Sequence, residues 1–477
     1  MSDFNKNRVK LTFFDEYWLD FRRGTTRRWY TPEKYSIAPE SMYCSLIYDT
    51  ERKVYRLYYE MFPTIANEDL RYMMAVESTD MKHFTQVKND EGGDILFTGG
   101  TGIHGTTVMY DEYEKDPERR YKLAGMFHMG DKYKGHESDM PVRLAFSPDG
   151  IHFTMHDELA ATEHTSDSLN KLFYNPYTEE YGLLHRSAFV DRRASVRRSK
   201  DLVHWTEPEI VLHPGSNYND GFTQMQHYAL SVKFFDGIFY GLLWRYNTCL
   251  YNMEYTKMFG YIEPELVYSY DGRVWLYTSG EVLMPRPDAP NPGCAGLAPG
   301  DMCGAPDDKY YYIACNAACY THGTQANDRK LNALCKERGI TAGTLMYRIR
   351  KDGFSGIESV GPGGEIVTKG IDILSDDLIL NANASVGTIR YAIRHNDGSF
   401  IEGFGYEDCV PMEFEDSVDF KARFKEHSLK ELTGQRVRLS IELNGAVLHC
   451  VTLDAAPYIS QRQKSFSDPQ GIFNKRT

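Results

Sequence analysis

Apolar and polar residues alternate with a period of two over short runs that come in sets. The first set reads SMYCSLIYD, VYRLYYEMF, LRYMMAVES and FTQVK. GTTVMYD, YKLAGMFHM, VRLAFS and FTMHDE form a second, and LNKLFYN, YGLLHRSA, ASVRRS and HWTEPEIV a third. HYALSVKFFD, GIFYGLLWRYN, PELVYSYD and VWLYTS form a fourth, and CGAPDDKYYYIACN with TLMYRIRKDGF a fifth. Alternation of this kind, rich in β-branched and aromatic residues, predicts strands. A helical pattern stands out around Asn327–Arg338, inside an insertion of the fifth set.

Between the third and fourth strands of each set the chain repeats itself: STDMKHF at Ser78–Phe84, SPDGIHF at Ser147–Phe153, SKDLVHW at Ser199–Trp205 and SYDGRVW at Ser269–Trp275. A looser copy, RKDGF, occupies Arg350–Phe354. Asp followed by Gly suits a hairpin turn, because the carboxylate caps the turn and Gly accepts a positive φ; the aromatic that follows is free to pack between neighbouring sheets. Copies recurring at roughly 50 to 80 residues leave room for about four strands each, the sequence signature of a propeller. The expected fold is all-β, a five-bladed β-propeller over residues 1–360. After the GPGGE cluster the texture changes, and strands such as GTIRYAIRH, QRVRLSIEL and AVLHCVTLD predict a C-terminal β-sandwich at 366–457, followed by a polar tail at 458–477.

Composition narrows the partners. The chain has 67 Asp and Glu against 54 Lys and Arg, a net charge of −13, with no long basic run, which argues against nucleic acid. The start lacks an apolar leader and no stretch approaches a membrane span, so a cytoplasmic protein with no membrane partner is expected. The nine cysteines lack a paired CxxC spacing and are read as reduced thiols, including Cys294, Cys303, Cys315 and Cys319 near His322; no metal and no cofactor is expected.

A propeller gathers ligand contacts where its innermost strands begin. Stepping back seven to nine residues from the tails LIYD, VMYD, LFYN and KFFD reaches Glu40, His104, Asp167, and His227 or Tyr228. Two carboxylates facing one pocket are what glycoside cleavage requires, one to protonate the leaving oxygen and one to attack or to activate water. Glu40 and Asp167 are the first pair, and Asp15 is a third candidate from a segment ahead of the first blade. His104, Arg192, Arg193, Gln226, His227, Arg245 and His322 are candidate substrate ligands; Arg192 and Arg193, adjacent on one strand, face opposite ways. The expected partner is an oligosaccharide or glycoside, and an oligomer is compatible with the sequence. Two other readings fit: a non-catalytic carbohydrate-binding propeller, and a glycoside phosphorylase using a basic cluster at Arg192, Arg193, Arg197 and Arg198.

YDTERKVYRLYYE, the SPDGIHF and SKDLVHW repeats, RRASVRRSKDLVHW, RIRKDGFSGI, GFGYEDC and FEDS together give the chain a resemblance to the propellers of glycoside hydrolase families 32 and 43. More closely it resembles a family-32-like bacterial group. The resemblance implies a glycosidase, with a furanoside such as a fructoside or arabinoside as substrate. It departs from the family pattern at the nucleophile motif Asn-Asp-Pro-Asn-Gly, where Ala38-Pro39-Glu40-Ser41 stands, and its nearest Glu-Xaa-Cys, Glu407-Asp408-Cys409, falls in the expected sandwich. β-Fructosidase activity does not carry over on those residues.

Overall fold

The computed structural model describes residues 4–39, 42–61, 71–100, 102–127, 140–187, 192–214, 223–249, 260–322, 333, 337–339 and 343–457. Most of the expected helix around Asn327–Arg338 lies outside them. The chain divides into two compact units, Met1–Phe4 with Pro32–Ile349, and Asn5–Thr31 with Arg350–Thr477.

The first unit is a five-bladed β-propeller. Four blades are antiparallel sheets in sequence order: Met42–Asp49, Val54–Met61, Tyr72–Ser78 and Thr85–Gln86; Ile103–Tyr110, Tyr121–Phe127, Pro141–Ser147 and Thr154–Thr165; Lys171–Asn175, Glu180–Arg186, Ala194–Ser199 and Glu209–Ile210; Thr223–Phe235, Ile238–Cys249, Gly260–Ser269 and Leu276–Tyr277. The fifth combines Gly296–Cys303, Tyr310–Ala318 and Gly343–Arg350 with Glu33–Ala38, a strand from near the N-terminus. That pairing closes the ring between its first and last segments. The innermost strands touch one another in blade order, the fifth returning to the first.

The repeat builds both the turns and the seams. In each copy the Ser hydroxyl donates to the Asp carboxylate two residues on, and that carboxylate accepts two further backbone N–H groups, as Asp149 does from Ile151 at 2.8 Å and His152 at 2.9 Å. The next position has φ of 57°, 72°, 66° and 69° at Met81, Gly150, Leu202 and Gly272. Met81 and Leu202 accept that strained geometry while buried, so packing compensates where glycine is missing. Phe153 packs against Ile47 and Tyr58 of blade 1 together with Val108 of blade 2. Trp205 and Trp275 fill the seams between blades 2 and 3 and between blades 3 and 4. Polar clasps reinforce them: Arg56 donates to Asp149 O at 2.7 Å, Tyr58 to Gly150 O at 2.9 Å, and Asn175 to Asp271 O at 2.8 Å. A buried ion pair joins Lys171 and Asp301, on the innermost strands of blades 3 and 5. Those blades are not neighbours, so the pair spans the axis.

The second unit is a β-sandwich whose strand order runs Leu19–Arg23, Gly364–Thr368, Arg436–Asn444, Ile371–Asn383, Val447–Pro457, Ser355–Ser359 and Thr25–Trp29. Its interior includes Ile366, Leu380, Ile389, Tyr391, Ile441 and Val451. Residues 5–31, placed by sequence ahead of the first blade, belong here. Arg8–Thr12 pairs with Val447–Pro457, and Thr25–Trp29 with Ser355–Ser359. RKDGF likewise enters this unit, where Asp352 pairs with Lys10 at 2.9 Å. Among the described residues no helix is long and apolar enough to cross a membrane.

Candidate active site

Asp167 sits just ahead of the innermost strand of blade 3, in a cradle built by its neighbours. Ser166, Ser168 and Asn170 are all fully buried, while the Asp167 side chain is 56% exposed. The Asn170 amide donates to Gly105 O, Ser166 O and Ser168 O at 3.1, 3.3 and 3.0 Å. The Ser168 hydroxyl donates to Tyr228 O at 2.7 Å, and Arg186 N donates to the Ser166 hydroxyl at 2.9 Å. Gly105 has φ of 63°, and a Cβ there would lie 1.8 Å from Ser168 O, so glycine is what lets the openings of blades 2 and 3 meet. An exposed carboxylate whose flanking residues are buried and tied to neighbouring backbone carbonyls is held in place before any ligand arrives.

Two donors reach that carboxylate. His104 Nε2 donates to Oδ1 at 2.8 Å, and Arg186 Nη1 to Oδ2 at 3.3 Å. The His104 ring stands edge-on to Tyr43 at 5.1 Å, and Tyr43, Trp244 and Tyr228 stack in series with centroids 6.2 and 5.9 Å apart. Trp244 is anchored by its indole N–H on Pro299 O at 2.7 Å. Burial, and then the proximity of Tyr228 and Asp167, push the Tyr43 phenol well up. His322 meets the Tyr228 hydroxyl at 3.0 Å through Nε2.

Arg186 lies over the Tyr228 ring at 4.6 Å; Arg192 lies over Tyr228 at 5.2 Å and over Tyr246 at 4.9 Å. Burial, followed by the charge of Arg186, pulls the Arg192 guanidinium below its ordinary value. Gln226 accepts from Arg192 N at 3.3 Å and from Nη1 at 3.4 Å. Arg186 Nε and Nη2 and Arg192 Nε are buried without a hydrogen-bond partner, and leaving a buried N–H so costs about 1–3 kcal/mol, so these guanidiniums are held at some expense.

Several candidates from the sequence therefore lie together: His104, Asp167, Arg192, Gln226 and His322. Arg193 is half-buried. His227 and Arg245 do not join them. His227 is fully buried and bonds to Leu212 O and the Tyr277 hydroxyl, while Arg245 pairs with Glu263 at 3.2 Å. The reason is a bulge between His227 and Ala229. It puts Tyr228 on the face shared by Gln226, Trp244 and Tyr246, and leaves the cross-strand pair His227 and Arg245 on the other. Asp15 falls in the sandwich unit, where its carboxylate accepts from Tyr17 N at 2.7 Å and shapes a turn. Glu40 lies outside the described residues.

The basic cluster proposed for phosphate is dispersed, since Arg197 pairs with Glu163 and Arg198 with Glu209. Sequence reasoning missed Tyr43, Arg186 and Trp244, and also Glu60. The fully buried Glu60 accepts from Thr106 N at 2.6 Å and from the Thr106 hydroxyl at 2.7 Å, and burial raises its carboxyl. It steadies the opening of blade 2 two residues from His104. Arg186 was legible in LLHRS as a cation ending an apolar strand; Glu60 sat mid-run in VYRLYYEMF with no such signal. Cys303 and Cys315 are buried thiols, and among the described residues no group of three or more His, Cys, Asp or Glu is placed to hold a metal ion.

No protein-family model matches the chain, and no curated protein is significantly similar to it. Among solved structures it is similar to an endo-arabinase from Bacteroides thetaiotaomicron at 17% identity and a TM-score of 0.39, over 61% of this chain and 95% of that one. It is similar to a GH32 β-fructofuranosidase of Bombyx mori at 11% and 0.41, over 91% and 94%. An N-acetylgalactosamine deacetylase from F. plautii in complex with blood group B trisaccharide gives 13% and 0.41, over 62% and 86%.

Proposed function

We propose that this protein is a glycosidase that cleaves a glycosidic bond at the axial opening of its propeller, with Asp167 as one of two carboxylates and Glu40 as the other. What carries the reading is the exposed Asp167 carboxylate on its buried Ser-Asn base, bonded by His104 and Arg186 beside a stack of aromatic rings. With donors at both oxygens, Asp167 is set up as an acceptor, the form a nucleophile or general base needs. Glu40 then supplies the proton to the departing oxygen. A separation of about 5 Å between the two carboxyl groups would retain anomeric configuration, and about 6.5–9.5 Å would invert it. The buried, stacked rings of Tyr43, Trp244 and Tyr228 brace the opening, while His322 and Gln226 bring polar groups to it.

The test is turnover of a panel of nitrophenyl furanosides and pyranosides together with oligosaccharide mixtures. Asp167→Asn and Glu40→Gln are each expected to cut release of product by roughly 10²-fold or more while leaving the melting temperature nearly unchanged. Sugar binding without product from the wild-type chain would favour the carbohydrate-binding propeller instead.

A further inference from the structure

The hydrogen bonds of Arg186 leave one edge of its guanidinium unused. Nη1 is engaged with Asp167, but Nε and Nη2, which share one edge of the planar group with parallel N–H bonds, have no hydrogen-bond partner, although both are shut off from water. Arg192 Nε is in the same condition. Both guanidiniums lie against the Tyr228 ring, at 4.6 and 5.2 Å from its centroid, so two positive charges share one aromatic ring. The exposed carboxylate among them is Asp167, and the hydrogen bonds of Arg192 to Gln226 bring no charge. Among the described residues the two guanidiniums face the single charge of Asp167, and a Glu40 that donates the proton is neutral, so the cluster is one negative charge short.

An empty Nε–Nη2 edge is the fork that receives the two oxygens of a planar carboxylate side by side. We propose that Arg186 and Arg192 form a subsite for the carboxylate of an acidic sugar, a uronic acid, bound with its oxygens on the free edge of Arg186 and within reach of Arg192 Nε. This rests on the axial opening being a glycoside site and names the class of sugar it takes. A uronate brings one negative charge and closes the balance. Inorganic phosphate near neutral pH carries more than one, and the excess would face Asp167. The Arg186 side chain is 14% exposed and Asp167 is open, so a uronate comes from the side that Asp167 faces and must displace what covers the Nε–Nη2 edge.

Calorimetric titration of the full chain with glucuronate and galacturonate, against glucose, galactose and inorganic phosphate, tests the subsite without requiring turnover. At least one uronate is expected to bind about tenfold or more tighter than its neutral hexose. Arg186→Lys, which keeps the charge but loses the fork, is expected to remove that preference, and Arg192→Gln to reduce it at an unchanged melting temperature. Equal affinity for uronate and neutral sugar, or phosphate bound tighter than either uronate, overturns the proposal. Turnover of neutral glycosides with no uronate preference overturns it while leaving the glycosidase standing. A uronate bound tightly by a chain that hydrolyses no uronoside upholds the subsite and overturns the glycosidase.

Discussion

Asp167, ahead of blade 3, and His104, at the opening of blade 2, are joined by a 2.8 Å hydrogen bond from Nε2 to the carboxylate. The ring comes from one blade and the acid from the next, so the bond fixes the acid relative to the axis as well as to its own strand. His104 is a positioning residue, and its removal should act through Asp167. Asp167→Asn is expected to lower kcat by roughly 10²–10⁴-fold. His104→Ala should lower kcat by up to about 10²-fold with a smaller change in KM, and His104→Gln, which restores a donor, should recover part of the loss. Steady-state kinetics on the first glycoside found to turn over decides it. An unchanged kcat in His104→Ala would remove the histidine from the mechanism.

The repeat turn makes a sharper prediction about stability. A Cβ on Gly150 would stand 2.2 Å from Tyr58 Oη and 2.5 Å from Arg56 Nη1, at a φ of 72°. Both atoms belong to the clasp between blades 1 and 2, and Arg56 is fully buried. Gly150→Ala is therefore expected to cost about 2–3 kcal/mol, backbone strain and overpacking together. Gly92→Ala, at a φ of 79° with nothing within 4 Å, should cost about 1 kcal/mol. Urea denaturation of the two variants measures the difference.

The contrast between those two glycines also explains what the sequence could reveal. SPDG is legible because its hydrogen bonds span three residues, as from Ser147 to Gly150, so the local string contains the whole device. The ring closure is not legible, because Ala38 pairs with Thr344 and no local pattern in EKYSIA names that partner. Arg8 facing Asp454 is hidden for the same reason, and it carried the first segment into the sandwich. At the site, the register of strand openings reached His104 and Asp167. Past the bulge at Tyr228 the alternation of faces slips, so of the two residues the count reached, His227 or Tyr228, it is Tyr228 that faces the site and His227 that turns away.

Acid should weaken the fold through two buried imidazoles. His185 in blade 3 and His449 in the sandwich are each pulled down to about 4, by burial first and then by Arg197 and Arg350 respectively. An unfolded imidazole titrates near 6.5. As pH falls below that value the unfolded chain binds a proton that the native state refuses until about 4, so stability present at pH 7 is lost across that interval. The loss is on the order of 3 kcal/mol per site. Stability measured from pH 7 to pH 4 should fall, and His185→Gln or His449→Gln should each flatten part of the slope. Parallel profiles for wild type and both variants would exclude the imidazoles as the cause.

The ion pair between Lys171 and Asp301 should behave as a buried pair does when it is broken from one side. Their side chains are 4% and 3% exposed, and they come from non-adjacent blades. Asp301→Asn leaves an ammonium without its counter-charge at the axis, an expected loss of about 3–5 kcal/mol. Lys171→Met leaves a carboxylate in the same position and should cost a similar amount. The double variant Lys171→Met with Asp301→Leu removes both desolvated charges and should recover most of the loss. Denaturation of the two single variants and the double variant gives the coupling between the positions. The double variant is expected to lose far less than the sum of the two single losses. Simple addition of the two single losses would mean that water, and not the partner charge, satisfies each group at the axis.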